Sequence, residues 1–192
     1  VAFSDGSHSV QNSGMMMRGL LYAKPFEGLL MNHPHDTQIA GNGFVHEGVI
    51  STSLGLTGIP ALSEEMMVQR DLHLVEYAEG RLHFSNISSK GSVDLIRKKK
   101  AEGLDITASV NPMNLVYTDA TLVDFDSHYK VYPPLRSEAD RQALIEGLKD
   151  GTIDVICSNH TPQDLESKQL EFTYADFGVI MLETAYALLK TH

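Results

Sequence analysis

The chain lacks the features of several classes of protein. It has a single cysteine in 192 residues, Cys157, so no disulfide can form within it, and a reducing compartment, the cytoplasm, is expected. No apolar run approaches the ~20 residues that are needed to span a bilayer. The opening Val1–Ser4 has neither the basic start nor the apolar stretch of a signal peptide. The sequence therefore argues against a secreted or membrane protein.

Positive charge is also scarce. The chain has 15 Lys and Arg residues against 25 Asp and Glu residues, which gives a formal net charge of −10. Because nucleic-acid affinity depends largely on basic side chains, no nucleic-acid partner is expected. The one lysine run, Lys98–Lys100, comes just before Gly103, where cations in a last helical turn complement the helix dipole.

Short apolar runs alternate with longer stretches of helical period, which predicts an α/β fold with a parallel sheet. The hydrophobic content of 42% is enough for one domain with a real core. Buried parallel strands are continuously apolar, as Val155-Ile156-Cys157 is, so we expect that run to be buried. The predicted strands are Val1–Ser4, Gly28–Asn32, Arg81–Ile87, Leu104–Val110 and Ile153–Ser158.

Four helices are predicted between and after these strands. Ser63 is expected to cap the first, and Ser137 caps another that runs to Leu148, with Asp140 at its third position. A third helix is predicted over Lys90–Ala101 and a last one over Val179–Leu189. The Met15–Met17 run is interpreted as helix core.

Polar residues recur where the predicted strands end, which is where βα proteins place their chemistry. Because several of these residues can bind metals, we expect a genuine pocket there. Two irregular stretches, 35–60 and 119–136, are expected to be functional loops. The strand-end groups are Asp5-Gly6, His33 to Asp36, His83 to Asn86, Asn111 to Asn114 and Asn159 to Pro162.

Several of these segments, taken in order along the whole chain, carry a family resemblance. They include Ala2 to Gly6, the His-x-x-Asp of His33 to Asp36, Pro133-Pro134-Leu135-Arg136, Asp150 to Asp154, and His160 with Pro162. The chain resembles the dihydroorotases and related cyclic amidohydrolases of the amidohydrolase superfamily, in particular the type I dihydroorotases of multifunctional complexes.

The resemblance implies a (β/α)₈ barrel of TIM type with zinc ligands at its strand ends. Residues 1–192 would then be a single partial domain holding strands four to eight, an internal fragment without the first three strands and the terminal sandwich domain. The apolar opening at Val1, without a methionine, and the end at His192 after a helical pattern agree with a piece cut from a longer protein.

By the same resemblance, Asp5 and His33 retain two metal-ligand positions of the family. Asn86 stands where the family has a histidine ligand, and an amide is a poor zinc ligand. Asn159 stands where the family has the aspartate that is both ligand and general base. An amide cannot act as a base near neutral pH, so we expect zinc binding to be weak or absent and the metal site to be degenerate.

Positions expected in the substrate pocket differ from the family as well. Tyr132 replaces the asparagine that usually precedes the double proline, and Gln163 replaces the last histidine of Asp-His-Ala-Pro-His. Asn114 ends the altered Pro-His-His or Pro-Asn-His motif, and Ser109 stands where the family often has glutamate.

Three functions stay open on these residues. The first is a catalytically inactive homologue in pyrimidine biosynthesis that serves a structural or assembly role, with aspartate transcarbamoylase as a possible partner. The second is an active zinc-dependent dihydroorotase that interconverts N-carbamoyl-aspartate and dihydroorotate with a rearranged metal site. The third is a small-ligand binding module that uses the old pocket, with Tyr132 in its wall. A partial barrel also has free sheet edges, so the fragment is expected either to self-associate through its outer strands or to survive as one part of a nicked parent.

Single residues have simpler interpretations. Cys157 is expected to be a buried strand residue and not a nucleophile, since its neighbours are apolar. His83 is expected to pack or hydrogen-bond beneath the site. Four other histidines are predicted to lie on the surface: His8, His73, His128 and His192.

Overall fold

A computed structural model describes residues 1–191 of the chain. Its strands are β1 (Ala2–Ser4), β2 (Leu29–Asn32), β3 (Val45–His46), β4 (Gly58–Ile59), β5 (Arg81–Phe84), β6 (Ile106–Val110) and β7 (Val155–Ile156). Five of them form one parallel sheet in the order β1-β2-β5-β6-β7, and β3 and β4 form a separate parallel pair. The five predicted strands are therefore confirmed as elements, although each is shorter than predicted.

Helices connect the strands, as parallel pairing requires. Within residues 1–191 they are α1 (Ser13–Ala23), α2 (Thr37–Ala40), α3 (Val49–Leu54), α4 (Leu62–Ala78), α5 (Lys90–Ala101), α6 (Pro112–Val116), α7 (Glu138–Lys149), α8 (Leu165–Lys168) and α9 (Ala185–Thr191). None of the helices in this range is long and apolar enough to cross a membrane.

The two faces of the sheet have different surroundings because successive strand residues point to opposite sides. Leu82 and Phe84 of β5 are fully buried and belong to the larger core cluster, with residues of α1, α4, α5 and α7. His83, between them, faces the other way and pairs in register with Met31 and Thr107. The opposite face of the sheet therefore lines an open cavity.

A second core cluster lies beneath the two stretches that were predicted to be irregular. It joins Val45 of β3 to Leu122, Val131 and Leu135 of residues 119–136, and to Phe172. Residues 35–60 contain α2, β3, α3 and β4, so this stretch is more regular than predicted. Residues 119–136 hold two short 3₁₀ helices and a cis Tyr132–Pro133 peptide bond.

The helix predictions are confirmed where a local N-cap residue sets the start of the helix. α5 has the predicted bounds, with Ser89 as its N-cap, and α7 follows Ser137, whose side chain forms a capping box with Asp140. The prediction that Ser63 caps α4 is wrong, because the helix begins at Leu62 and the Ser63 hydroxyl donates to the Pro60 carbonyl at 2.8 Å.

Two other predictions need correction. The last helix, α9, begins at Ala185 and not at Val179, since residues 179–181 have no regular secondary structure and residues 182–184 form a turn. Val155 and Ile156 are 47% and 42% exposed, not buried, because β7 is the last strand in the sheet order and pairs only with β6. Of the three predicted core methionines, Met16 is buried, whereas Met15 is 57% exposed.

Candidate functional site

The cavity on the open face of the sheet has a volume of about 1030 Å³. Alternate residues of the strands line it, together with the segments that follow β2, β5 and β7 at their carboxyl ends. The residues that line it from these segments and the later loops include His33, Ser85, Asn86, Tyr132, Cys157, Asn159, Gln163 and Phe177. The predicted pocket at the strand ends is therefore present, and five of the predicted site residues line it: His33, Asn86, Tyr132, Asn159 and Gln163. The Gln163 side-chain amide donates to the Phe177 carbonyl at 2.9 Å.

His33 follows β2 and is buried with one ring nitrogen already bonded. Its Nδ1 lies 3.0 Å from the Ser85 carbonyl oxygen, which can only accept, so Nδ1 carries the proton and Nε2 keeps its lone pair. Burial is the main cause that lowers the pKa of His33, so the ring is neutral at pH 7. This tautomer and charge are those of a metal-ligating histidine, whose other nitrogen usually donates to an oxygen.

Asn86 and Asn159 form a direct hydrogen-bonded pair, which we call the amide pair. Asn86 Nδ2 donates to Asn159 Oδ1 at 3.1 Å, and Asn159 Nδ2 donates to the Tyr132 carbonyl at 2.8 Å. Both residues have left-handed backbones, with φ of 56° and 47°, which asparagine, aspartate and histidine adopt more readily than most residues. The hydrogen-bonding groups of the amide pair therefore have partners within the protein, and its backbone conformation suits asparagine.

The Cys157 thiol completes the surroundings of the amide pair. Its Sγ lies 2.7 Å from Asn86 Oδ1, and burial raises the pKa of the thiol, so it is protonated and donates. Cys157 is half-buried in the cavity wall and follows β7, so the prediction of a buried strand residue is wrong in detail. A thiol with a raised pKa is a poor nucleophile, as expected.

Tyr132 forms an aromatic wall over the histidines. Its ring centroid lies 5.4 Å from that of His33, 4.8 Å from that of His35 and 5.5 Å from that of Phe177. The Tyr132 hydroxyl contacts His35 Nδ1, and burial lowers the pKa of His35 to about 4. Burial also raises the pKa of Tyr132, so tyrosine is neutral and donates to a neutral imidazole.

His83 lies deeper in the cavity, beneath the strand ends as predicted. Its Nδ1 is 2.8 Å from Thr107 Oγ1, and its Nε2 is 3.1 Å from Ser109 Oγ. The Ser109 hydroxyl also accepts from the Asn86 backbone N–H at 3.0 Å. Both ring nitrogens of His83 are therefore occupied by hydroxyl groups.

Two predicted site residues lie away from this cavity. Asp5 is exposed at the end of β1 and lines a smaller neighbouring cleft with Met15 and Met16. Asn114 is buried in α6, where its Nδ2 donates to the Pro134 carbonyl at 2.8 Å. The structure therefore does not bring Asp5 and Asn114 into the cavity wall beside the amide pair.

Arg136 belongs to a buried ionic cluster, which comprises Glu64, Ser88, Ser89 and Arg136. The backbone N–H groups of Ser88 and Ser89 donate to Glu64 at 3.0 and 2.9 Å. Arg136 Nε donates to the Ser88 hydroxyl at 2.9 Å, and its Nη2 lies 3.7 Å from Glu64 Oε2. Glu64 and Arg136 are each only 3% exposed. Because both bond to Ser88, the buried ionic cluster fixes the segment that follows β5.

Some residues of the site carried no signal in the sequence. Phe177 lies far from any strand end, and only the fold brings its ring to Tyr132. His35 belongs to a predicted strand-end group, but its pairing with the Tyr132 hydroxyl joins positions that are 97 residues apart. The three histidines predicted to be on the surface and described by the structure, His8, His73 and His128, are exposed. The fourth, His192, lies outside the described residues.

The residues at the cavity do not fit a zinc ion held by this chain's own side chains. Across residues 1–191, no group of three or more His, Cys, Asp and Glu side chains is arranged to hold a metal ion. The amide pair uses its donors and acceptors on each other, on Tyr132 and on Cys157. His33 Nε2 has the free lone pair of a zinc ligand, but no group of metal-capable side chains among residues 1–191 is gathered around it.

Comparison with known proteins settles the family. The family model described as dihydro-orotase-like matches residues 1–92. Dihydroorotases from Thermoanaerobacter sp. (strain X514), Pelotomaculum thermopropionicum and Bacillus subtilis are 44%, 46% and 42% identical over 191 residues, 100% of this chain. The chain belongs to the dihydroorotase-like family.

This dihydroorotase-like chain spans 44% or 45% of the length of those relatives, which is less than half. Solved structures share its fold at lower identity. L-Hydantoinase (dihydropyrimidinase) from Arthrobacter aurescens is 23% identical with a TM-score of 0.80, over 98% of this chain and 44% of that one. D-Hydantoinase (dihydropyrimidinase) from Thermus sp. is 22% identical with a TM-score of 0.79, over 100% of this chain and 44% of that one.

Proposed function

We propose that this dihydroorotase-like chain forms strands four to eight of a (β/α)₈ amidohydrolase barrel whose hydrolytic site has been lost, and that it serves a structural or assembly role. The amide pair is the observation that carries this proposal. A zinc hydrolase needs lone pairs that hold the metal and a group that moves the proton of the attacking water. Asn86 and Asn159 supply neither, and each instead satisfies the other.

The wall of the cavity supports the same proposal. The Tyr132 ring stands beside His33, and its hydroxyl is bonded to His35, so the most ligand-like histidine faces an aromatic side chain. Asp5 lines the smaller cleft, whereas the amide pair lines the cavity. The metal-capable groups that the chain retains are therefore not gathered at one point.

An active zinc-dependent dihydroorotase is the second candidate, and the orientation of His33 favours it. Because Nδ1 donates to Ser85, Nε2 faces the cavity with a free lone pair, as in a working metal site. Such an enzyme would recruit further ligands from outside this set of residues. It would need a base other than Asn159.

One experiment separates the two candidates. The full-length protein is assayed for dihydroorotate hydrolysis at saturating zinc, and its bound metal is measured by elemental analysis. We expect no turnover and far less than one zinc per chain. Turnover with near-stoichiometric zinc would mean that Asn86 and Asn159 are bypassed, and the structural role would be wrong.

The partners follow from the same proposal. An inactive homologue in the cytoplasm would support the assembly of another enzyme of the pathway, and aspartate transcarbamoylase is the expected one. Co-elution of the two purified proteins on size-exclusion chromatography tests this directly, since an assembly subunit must shift the elution of its partner. Two separate peaks at micromolar concentration would contradict it.

We also propose that the 192-residue chain self-associates when it is produced alone. β1 and β7 each pair on one side only, and Phe3, Val155 and Ile156 are exposed along them. Unpaired strand edges readily take up another strand. Light scattering should give a mass above that of one chain, and Val155→Lys should lower it, whereas a monodisperse wild-type monomer would overturn the idea.

A further inference from the structure

Two lysines are buried beside the cavity without a carboxylate partner. Lys130 is 2% exposed and Lys168 is 8% exposed. None of the ion pairs found among residues 1–191 includes either of them. A buried ammonium group is costly unless it is hydrogen-bonded, so its partners show what it does.

Lys130 donates to three backbone carbonyls of one short segment. Its Nζ lies 2.8 Å from the Phe172 oxygen, 3.1 Å from the Thr173 oxygen and 2.6 Å from the Ala175 oxygen. An ammonium group has three N–H donors, and all three are used here. The carbonyl oxygens converge on a single point, as they do around a bound cation.

Aromatic rings enclose the same ammonium group. The centroids of Phe44, Phe172 and Phe177 lie 4.7, 5.4 and 5.0 Å from Lys130 Nζ. A cation over the face of an aromatic ring is attracted within about 6 Å, most strongly where water is excluded. Three carbonyls and three rings therefore form a cage around one positive charge.

Lys168 also bonds to backbone carbonyls of this part of the chain. Its Nζ lies 3.0 Å from the carbonyl oxygens of both Asp176 and Gly178, and the Gly178 N–H donates to the Lys130 carbonyl at 3.0 Å. We call residues 172–178 the carbonyl segment. Its backbone oxygens at Phe172, Thr173, Ala175, Asp176 and Gly178 are all bonded to one of the two lysines.

The carbonyl segment is also a wall of the cavity. Phe177 and Gly178 line it, and the Phe177 ring packs at 5.5 Å from that of Tyr132. The segment has only short turns and no strand partner. The two lysines bond five of its carbonyls, and the Gln163 amide bonds a sixth, that of Phe177. Loss of the two lysines would free Phe177 from Tyr132.

We propose that the cage around Lys130 Nζ is a binding site for a primary ammonium group, filled by the chain's own lysine, and that it fixes the carbonyl segment as the cavity wall. Lys168 is a second positioning residue of that wall. This site is separate from the amide pair and goes beyond the proposed structural role. It does not depend on whether the protein hydrolyses anything.

Chemical rescue tests the site in the full-length protein. Lys130→Ala removes three methylene groups and the ammonium, which propylammonium replaces. We expect hydrogen exchange of residues 172–178 to become at least about tenfold faster in this variant while β5 and β6 keep their protection. Propylammonium should restore slow exchange, whereas 1-propanol, which has the same size but no charge, should not.

Lys149→Ala is the matched control, because Lys149 is an exposed lysine in the last turn of α7. It should leave exchange in the carbonyl segment unchanged. The labelling rate of Cys157 by a thiol reagent reports the cavity separately, since Cys157 lines it. That rate should rise in Lys130→Ala and fall again with propylammonium.

Several results would overturn the proposal. Unchanged exchange in Lys130→Ala, acceleration spread over the whole chain, or equal rescue by 1-propanol would each show that no ammonium site exists. If Lys130→Ala does not fold, its refolding yield with propylammonium and with 1-propanol gives the same contrast. Lys168→Ala, which removes fewer bonds to the segment, should then show a smaller acceleration confined to residues 172–178.

Discussion

Two polar clusters follow the same strand, β5, and they differ in kind. The buried ionic cluster keeps charges of both signs, with Glu64 and Arg136 each bonded to Ser88. The amide pair, which starts only two residues earlier at Asn86, is neutral and bonded to itself. The ionic cluster joins Glu64 of α4 to Arg136, which also donates to the Ile59 carbonyl of β4 at 3.1 Å, whereas the amide pair faces the cavity.

The difference between the two clusters shows that the fold depends on buried charge at Glu64 and Arg136 but not at the amide pair. Removing one partner from a buried ion pair leaves the other charged and unpaired, so neither Glu64 nor Arg136 can change alone without a large loss. The cavity side has no such constraint, because amides satisfy one another without a metal or a counter-charge. The fold can therefore accommodate a neutral amide pair at the cavity.

The largest expected effect is at the buried ionic cluster. Arg136→Met should lower the free energy of unfolding by about 3–5 kcal/mol, since it leaves the Glu64 carboxylate buried without its cation. Urea denaturation measures it. Arg97→Met is the control, because Arg97 forms only exposed pairs and should cost less than about 1 kcal/mol. Equal losses of unfolding free energy in the two variants would contradict the claim that the buried charges stabilise the fold more than the exposed ones.

A smaller effect is expected at the amide pair. Asn159→Asp replaces the N–H group that donates to the Tyr132 carbonyl by an oxygen, so it should lower the free energy of unfolding by about 1–3 kcal/mol without metal. Asn42→Asp, at an exposed asparagine, is the matched control for the added charge. If Asn159→Asp is as stable as the wild type, the amide pair is not held by the bonds described.

The smallest effect is a pH dependence that links the ionic cluster to a histidine. Burial first, and the Arg136 guanidinium second, lower the pKa of His46 below its ordinary 6.5. As the pH falls below 6.5, the unfolded chain takes up this proton before the folded chain does. The contribution of His46 to the free energy of unfolding is therefore unreduced above pH 6.5 and declines below it.

His46→Gln should therefore remove part of the stability loss between pH 7.5 and pH 5.5 in urea denaturation. Only part is expected, because burial also lowers the pKa of His33, His35 and His83. His73→Gln, at an exposed position, should leave the pH profile unchanged. A His46→Gln profile identical to that of the wild type would exclude the contact with Arg136 as a source of the effect.

The sequence predicts the elements whose cause is local. α7 was predictable because Ser137 and Asp140 form a capping box within four residues. β5 and β6 were predictable as short apolar runs between helices. The N-cap of α4 was predicted two residues late, at Ser63 instead of Ala61, because the Ser63 hydroxyl donates to the Pro60 carbonyl and does not cap the helix.

Contacts between distant residues could not be predicted in the same way. The exposure of Val155 depends on β7 being at the end of the sheet order, which no property of the strand itself reveals. The cage around Lys130 is built from residues more than 40 positions away, so no local pattern predicts it. The site residues at strand ends could be identified from the sequence. Asp5 and Asn114 show, however, that a position at a strand end does not determine where its side chain points.

Zinc binding by the wild type and by Asn86→His/Asn159→Asp, measured by calorimetry on the full-length protein, tests the central claim most directly. The left-handed backbone at both positions accepts histidine and aspartate, so the variant should retain the fold. We predict weak or no zinc binding by the wild type and at least about tenfold tighter binding by the variant, the scale that even an outer-shell partner contributes. Stoichiometric zinc in the wild type with no gain in the variant would contradict the account.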